Sequence, residues 1–144
     1  MSYAAGAALQ AAVYAVLRDD AALGALVGDA IYDAMPVEAP ADVFVALGPE
    51  EVRDAGDCTG RGSRHDFVVS VLSGSATDSG FAGVKAAAGA VCSALEAGAG
   101  SGVLDPGGGA VLVGLWFQRA RARRVRNGAA RRVDLTFRAR LDLE

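Results

Sequence analysis

The stretch 111–144, VLVGLWFQRARARRVRNGAARRVDLTFRARLDLE, decides the fold, because its pattern is typical of one long β-hairpin. At its centre, Asn127-Gly128 is the strongest short hairpin signal, since a type I′ turn requires positive φ at both central residues. If the chain turns there, the numbers of opposing residues sum to 255. Arg121 then faces Asp134, and Gln118 faces Phe137.

Alternation with a period of two sorts the side chains of this hairpin onto two faces. The first, which we call the arginine face, carries Arg119, Arg121, Arg123, Arg132, Asp134, Thr136, Arg138 and Arg140. The second, the apolar face, carries Trp116, Ala120, Ala122, Val133, Leu135, Phe137, Ala139, Leu141 and Leu143. This register predicts that Trp116 and Phe137 are buried. Val113, Leu115 and Phe117 fall on the arginine face, so we expect another segment to cover that end.

The chain before the hairpin contains both helical and extended patterns. Apolar residues at helical spacing predict helices over 3–18, 21–27 and about 78–97. Short apolar runs predict extended segments over 31–33, 43–47 and 65–73. Asp20 and Asp78 are placed to cap the second and third helices, and Gly28 is placed to end the second.

These elements predict an α/β fold of the α+β type. We expect a mixed, mainly antiparallel sheet of about four or five strands with a long C-terminal β-hairpin. Two to three helices should pack on one face of this sheet, because only its apolar face needs cover. The 144 residues fit one domain, 1–144, with a core of ordinary size.

Charge is distributed unevenly along the chain. Residues 1–105 hold 14 acidic and 5 basic side chains, a net charge of −9, whereas residues 106–144 hold 3 and 9, a net charge of +6. Such separation favours head-to-tail contact between copies, or a basic surface for a polyanion. A solvated, highly charged face explains the pattern equally well.

Four carboxylates, which we call the acidic segment, lie close together in the polar stretch 50–63: Glu50, Glu51, Asp54 and Asp57. Their spacing lacks the alternating oxygen ligands and closing glutamate of a calcium loop. We therefore interpret the acidic segment as a mobile loop and predict no metal site.

Signals for catalysis and cofactor binding are weak. Cys58 and His65 form the one possible nucleophile–base pair, but no third group is placed to orient the histidine. His65 is better explained as an ordinary polar residue at the start of a strand. Two cysteines without ligand spacing favour a reduced cytosolic setting, and neither a signal peptide nor a membrane-spanning run is predicted.

The ordered set of segments resembles a known family. Its parts are LQAAVYAVL (9–17), AALGALVG (21–28), IYD (31–33) with Pro36, VFVALG (43–48), HDFVVSV (65–71), an alanine-rich helix and the arginine-rich hairpin. This order resembles the tail-completion, or tail-terminator, proteins of long-tailed phages and of phage-derived gene transfer agents. The resemblance covers nearly the whole chain.

The resemblance implies a non-enzymatic virion structural protein without a cofactor. Family members form a ring, usually six-fold, at the head-proximal end of the tail tube, where the ring ends tube polymerisation and joins the tail to the head. The implied partners are other copies of the chain, the tail tube protein, the head-completion (connector) protein and DNA that passes through the ring. Assembly is expected in the bacterial cytoplasm, followed by residence in the virion or gene transfer agent particle.

Two alternatives belong to other classes of function. A nucleic-acid-binding module could use the arginine face, although Phe117 is the one aromatic residue there that could stack on bases, and the protein is acidic overall. An enzyme is the third and least supported class. We expect the interface to involve Arg119, Arg121, Arg123, Arg132, Arg138 and Arg140, facing either protein or DNA, together with the acidic segment.

Overall fold

The computed structural model of the chain describes residues 3, 5–56, 60–75, 81–126 and 130–143. The predicted turn at Asn127-Gly128, the predicted cap Asp78, and the candidates Asp57 and Cys58 lie outside these residues. Within the described ranges, no helix combines the length and the apolar character needed to cross a bilayer.

The described part of the chain contains three helices, which follow the apolar periodicity of the sequence. Helix α1 covers Ala5–Asp19, α2 covers Ala21–Val27 and α3 covers Ala82–Ser101. The Asp20 carboxylate caps α2, as predicted, by accepting a hydrogen bond from the Leu23 amide at 2.9 Å. Gly28 follows α2 with a φ of 61°, a conformation that glycine adopts without steric cost.

Within the described residues, five strands form one mixed sheet. They are β1 (Ile31–Tyr32), β2 (Phe44–Asp54), β3 (Arg61–Leu72), β4 (Ala110–Val125) and β5 (Ala130–Leu143). Their order across the sheet is β1-β2-β3-β5-β4, in which β1 pairs with β2 in parallel and the other pairs are antiparallel. The α+β class and the long C-terminal hairpin are therefore confirmed.

The core lies between the helices and the apolar face of the sheet. Side chains of α1, α2 and α3 pack there against alternate residues of β2, β3 and β5. Phe137 on β5 is fully buried at its centre, with its ring between Phe67 at 5.6 Å and Phe117 at 5.9 Å between ring centroids. The predicted placement of the helices on one face and the predicted burial of Phe137 are both confirmed.

Strands β2 and β3 are longer than predicted. The stretch 50–63 was expected to be a loop, but β2 continues to Asp54 and β3 already begins at Arg61. Glu51 pairs with Asp66 and Arg53 with Arg64 in this extension. The described part of the acidic segment is therefore a strand, and the loop interpretation is wrong. Charged side chains on an exposed strand end hide the alternation that would have identified it.

The predicted hairpin register holds near the turn and fails toward the start of β4. Opposing residue numbers sum to 255 over 119–125, to 254 over 114–117 and to 253 over 110–112. Each change marks a β-bulge, which adds one residue to β4 and exchanges the faces of the residues beyond it. Phe117, and not Gln118, consequently faces Phe137.

The bulge moves Trp116 to the arginine face, so the prediction that Trp116 is buried is wrong. Trp116 stands opposite Arg138 and is 49% exposed. Its ring lies over the backbone of Gly114, where a Cβ atom would be only 2.6 Å from the ring. Leu115 and Phe117 return to the apolar face, so the expectation that another segment covers them on the arginine face is also wrong.

Candidate interface on the arginine face

The arginine face is the side of the sheet opposite the helices. All six arginines proposed from the sequence lie on it, because Arg119, Arg121 and Arg123 on β4 oppose residues 136, 134 and 132 of β5. Strand β3 extends this face with Arg64 and Asp66, which pair with residues 140 and 138 of β5. The structure therefore brings the proposed arginines onto one continuous surface.

Carboxylates within the sheet neutralise part of this surface. The Arg138 guanidinium donates two hydrogen bonds to Asp66, Nε to Oδ1 at 2.8 Å and Nη2 to Oδ2 at 3.3 Å. The hydrogen bond from Arg138 is the main reason that the pKa of Asp66 lies below its ordinary value, and it outweighs the opposing effect of burial. Arg140 similarly lies 3.6 Å from Asp142.

A second group forms around Asp134. Arg132 Nε donates to Asp134 Oδ1 at 2.8 Å, the Ser70 hydroxyl donates to the same oxygen at 2.6 Å, and Arg123 Nη2 lies 3.3 Å from Oδ2. Burial raises the pKa of Asp134, but these hydrogen bonds and the two arginine charges outweigh it and lower the pKa overall. Arg123 and Arg132 are therefore held in place by their own chain.

Arg119 and Arg121 differ from the other four arginines. Among the described residues, no carboxylate lies within 4 Å of either guanidinium. They border a shallow depression of about 200 Å³ lined by Pro49, Val68, Arg119, Arg121, Arg123, Arg132, Asp134 and Thr136. The uncompensated positive charge is consequently concentrated on β4, at the edge of the sheet.

The described part of the acidic segment, Glu50, Glu51 and Asp54, lies toward the opposite edge, on β2. Glu51 is exposed and pairs at 2.7 Å with Arg53, two residues away, and Asp54 is also exposed. Glu50 points to the apolar face, where it accepts a hydrogen bond from the Tyr3 hydroxyl. The structure therefore separates the described part of the acidic segment from the arginines, and it commits Glu50 to contacts inside the chain.

His65 belongs to a buried polar cluster that its sequence neighbourhood did not predict. The prediction of an ordinary polar residue at the start of a strand is wrong, because His65 lies inside β3 and is fully buried. Its Nε2 lies 2.8 Å from Ser63 Oγ, and its Nδ1 lies 3.7 Å from Glu50 Oε2, beyond hydrogen-bonding distance. Burial lowers the pKa of His65, and the Glu50 carboxylate only partly opposes this shift.

This cluster has the order of a serine–histidine–carboxylate triad but not its accessibility. Ser63 is buried to the same degree as His65, so a substrate carbonyl could not reach its hydroxyl. The spacing of Ser63 and His65, two residues apart on one strand, was the available signal for their shared face. Within the part of the chain that the structure describes, no three potential metal ligands cluster together.

Comparison with known proteins identifies the family. A family model described as Tail completion protein gp17 matches residues 11–142, whereas no curated protein matches the chain. Among solved structures, a chain of one described as "Virion of native gene transfer agent (GTA) particle" is 52% identical. The match covers 98% of this chain and 99% of that chain, with a TM-score of 0.79. The resemblance noted in the sequence is thus confirmed, and the chain belongs to the tail completion protein family of phage structural proteins.

Proposed function

We propose that the chain, acting as one domain over 1–144, forms a ring at the head-proximal end of a tail tube. The ring ends polymerisation of the tube and joins the tail to the head, without catalysing a reaction. The observation that carries this proposal is the placement of opposite charges at opposite edges of one sheet. Among the described residues, Arg119 and Arg121 on β4 have no carboxylate partner, and Glu51 and Asp54 lie exposed on β2.

Two different complementary patches on one subunit make a heterologous contact, which repeats from copy to copy until a ring closes. Such a contact leaves the two ends of the ring with different surfaces. One end can bind the tail tube protein and the other the head-completion protein. By analogy with the family, the ring is six-fold, assembles in the bacterial cytoplasm and becomes part of a virion or gene transfer agent particle.

DNA binding is the second candidate function. Arg119, Arg121 and Arg123 are alternate residues of β4, so the Cα atoms of successive arginines are about 7 Å apart. Phosphate contacts require charge but no reading of bases, and DNA that passes through a ring could use this row. In the leading proposal these contacts would accompany ring formation, whereas in the alternative they would be the function of a monomer.

Negative-stain electron microscopy of the purified chain, with and without duplex DNA, should separate these candidates. We expect discrete rings in the absence of DNA. The same preparation should be titrated with DNA over a series of salt concentrations. Monomers that bind DNA, with an affinity that falls steeply as salt rises, would contradict the ring proposal and favour the nucleic-acid-binding module.

Charge reversal should test whether the acidic segment of one copy meets the arginine face of the next. Glu51→Lys should weaken association at least about tenfold in light scattering, since it places like charges together. Adding Arg121→Glu to the same chain should restore part of the loss. Glu50 is unsuitable for this test because its carboxylate binds Tyr3.

Glu38→Lys is the matched control, because it makes the same charge change at an exposed position outside both proposed patches. It should leave association within about twofold of the unmodified chain. If Arg121→Glu restores nothing in the Glu51→Lys chain, these two patches do not meet.

A further inference from the structure

In the part of the chain that the structure describes, both edges of the sheet have backbone groups without a partner strand. Strand β4 forms one edge along its full 16 residues. At the other edge, β1 pairs with Val45 and Ala46 of β2, and among the described residues no strand lies on the outer side of the stretch 50–54. An edge of this kind can accept a further strand unless something blocks it.

Two hydrogen bonds show which backbone N–H and C=O groups of β2 point away from the sheet. The Val45 amide donates outward to Ala30, and the Ala55 amide donates inward to Gly62. A bulge at 48–49 separates these two positions, and alternation from Ala55 leaves the backbone groups of residues 50, 52 and 54 pointing outward. Pro49, which has no N–H, marks the N-terminal limit of the free stretch.

The outward-pointing groups of β4 follow in the same way. The Ser73 amide donates to the Arg131 carbonyl. The backbone N–H and C=O groups of the odd-numbered residues of β5 therefore point to β3, and those of the even-numbered residues point to β4. Residues 119, 121 and 123 oppose these even-numbered residues and are the hydrogen-bonded partners. The backbone groups of Ala120, Ala122 and Arg124 therefore point away from the sheet.

The two free edges match in direction and in face. Strands β2 and β4 run in opposite senses across the sheet, because three antiparallel pairings separate them. The backbone groups that point outward belong to residues whose side chains lie on the apolar face, among them Glu50, Val52, Ala120 and Ala122. An antiparallel pair between two copies would consequently keep every helix on the same side of a continuous sheet.

Building on the ring proposed above, we propose that Ala120–Arg124 of one copy pairs as an antiparallel strand with 50–54 of the next copy. With Ala122 opposite Val52, Glu51 stands opposite Arg123 and diagonal to Arg121 on the arginine face, and this contact of opposite charges selects a second copy as the partner. Arg53, which is paired with Glu51 of its own chain, stands opposite Arg121. Ala120 and Ala122 are exposed and small, so they leave room for this approach. The helical layer is bulkier than the arginine face, so it lies on the outside of the ring, where the circumference is longer. The arginine face then lines the inside of the ring.

Disulfide cross-linking tests this pairing. Hydrogen-bonded partners in an antiparallel pair have Cα atoms about 5.5 Å apart, within the range that a disulfide bridges. Cysteines at 122 and 52 of one chain cannot join, because three strand spacings of about 4.8 Å separate β4 from β2. Ala122→Cys with Val52→Cys, and Ala122→Cys with Asp54→Cys for the alternative register, should therefore cross-link only between copies.

The variants should carry Cys58→Ser and Cys92→Ala and be expressed in a particle-producing strain. We expect purified, oxidised particles to give a ladder of multimers on a non-reducing gel for at least one pair. Ala122→Cys with Ala11→Cys, which places the second thiol on an exposed position of α1, should give none. Particles that contain the chain but show no ladder with either pair would overturn the strand pairing. Particles that lack the chain would overturn the proposed function itself, and the pairing with it.

A proline substitution supplies an independent readout. Ala122→Pro removes an amide that β5 does not use, so the chain should melt within a few degrees of the unmodified protein yet lose ring formation. Ala122→Val keeps the amide and should still form rings. A folded Ala122→Pro chain that enters particles at the unmodified level would contradict the proposed pairing.

Discussion

Phe137→Ala should lower the free energy of unfolding by about 3–5 kcal/mol, because it opens a cavity at the centre of the core. The Phe137 ring is completely buried and lies between two other phenylalanine rings, one on β3 and one on β4. Removing it takes away packing on both sides at once, and the strands that hold these rings cannot move together to fill the space. Urea denaturation followed by circular dichroism gives the free energy of unfolding from the midpoint and the slope.

Phe117→Ala is the matched control, since it makes the same substitution at a ring that contacts Phe137 but is 42% exposed. It should cost no more than about half as much, because much of its surface is already in water. Trp116→Ala should also cost less than Phe137→Ala, since the bulge places Trp116 on the arginine face. A midpoint for Phe137→Ala equal to that of the unmodified chain would contradict this description of the core.

The sequence predicted those elements in which periodicity and local chemistry agree. Strand β5 alternates without interruption, and α2 has both a carboxylate cap and a terminal glycine, so both were placed correctly. Burial of the apolar face then required helices on one side of the sheet. Each of these conclusions depends on residues near one another in sequence or directly opposite across one turn.

The bulges in β4 were not predicted, although a signal was present. Val113, Leu115 and Phe117 alternate in one phase, whereas Ala120 and Ala122 alternate in the other. A change of phase within one strand is what an inserted residue produces. A single register for the whole hairpin ignores this change of phase, and the face predicted for Trp116 is therefore wrong.

The partners of individual arginines depend on contacts that sequence spacing does not contain. Asp66 and Arg138 are 72 positions apart, and they meet only because β3 and β5 are neighbours. The sequence does not distinguish the six arginines of the arginine face. In the structure, four of them form ion pairs with carboxylates of their own chain, whereas Arg119 and Arg121 form none with the described residues. The difference concentrates unpaired charge on the edge strand, where a neighbouring subunit or DNA can reach it.

A terminator needs two unlike ends, and this follows from how a tube grows. Each added ring of identical subunits exposes the same growing face as the ring before it, so growth has no intrinsic stopping point. A subunit stops growth if it binds that face and offers a different surface above. In the ring proposed above every copy points the same way, so the two ends of the ring expose opposite ends of the sheet and differ chemically.

Deletion of the gene for this chain should therefore leave tails of uncontrolled length and heads without tails. Electron microscopy of lysates from the deletion strain would give the distribution of tail lengths and the fraction of heads that carry a tail. We expect a broad distribution extending well beyond the normal length and almost no joined particles, and expression of the unmodified chain from a plasmid should restore both. Tails of normal length attached to filled heads in the deletion strain would refute the terminator function. Arg119 and Arg121 on β4 would then be better explained as the contact residues of a nucleic-acid-binding module.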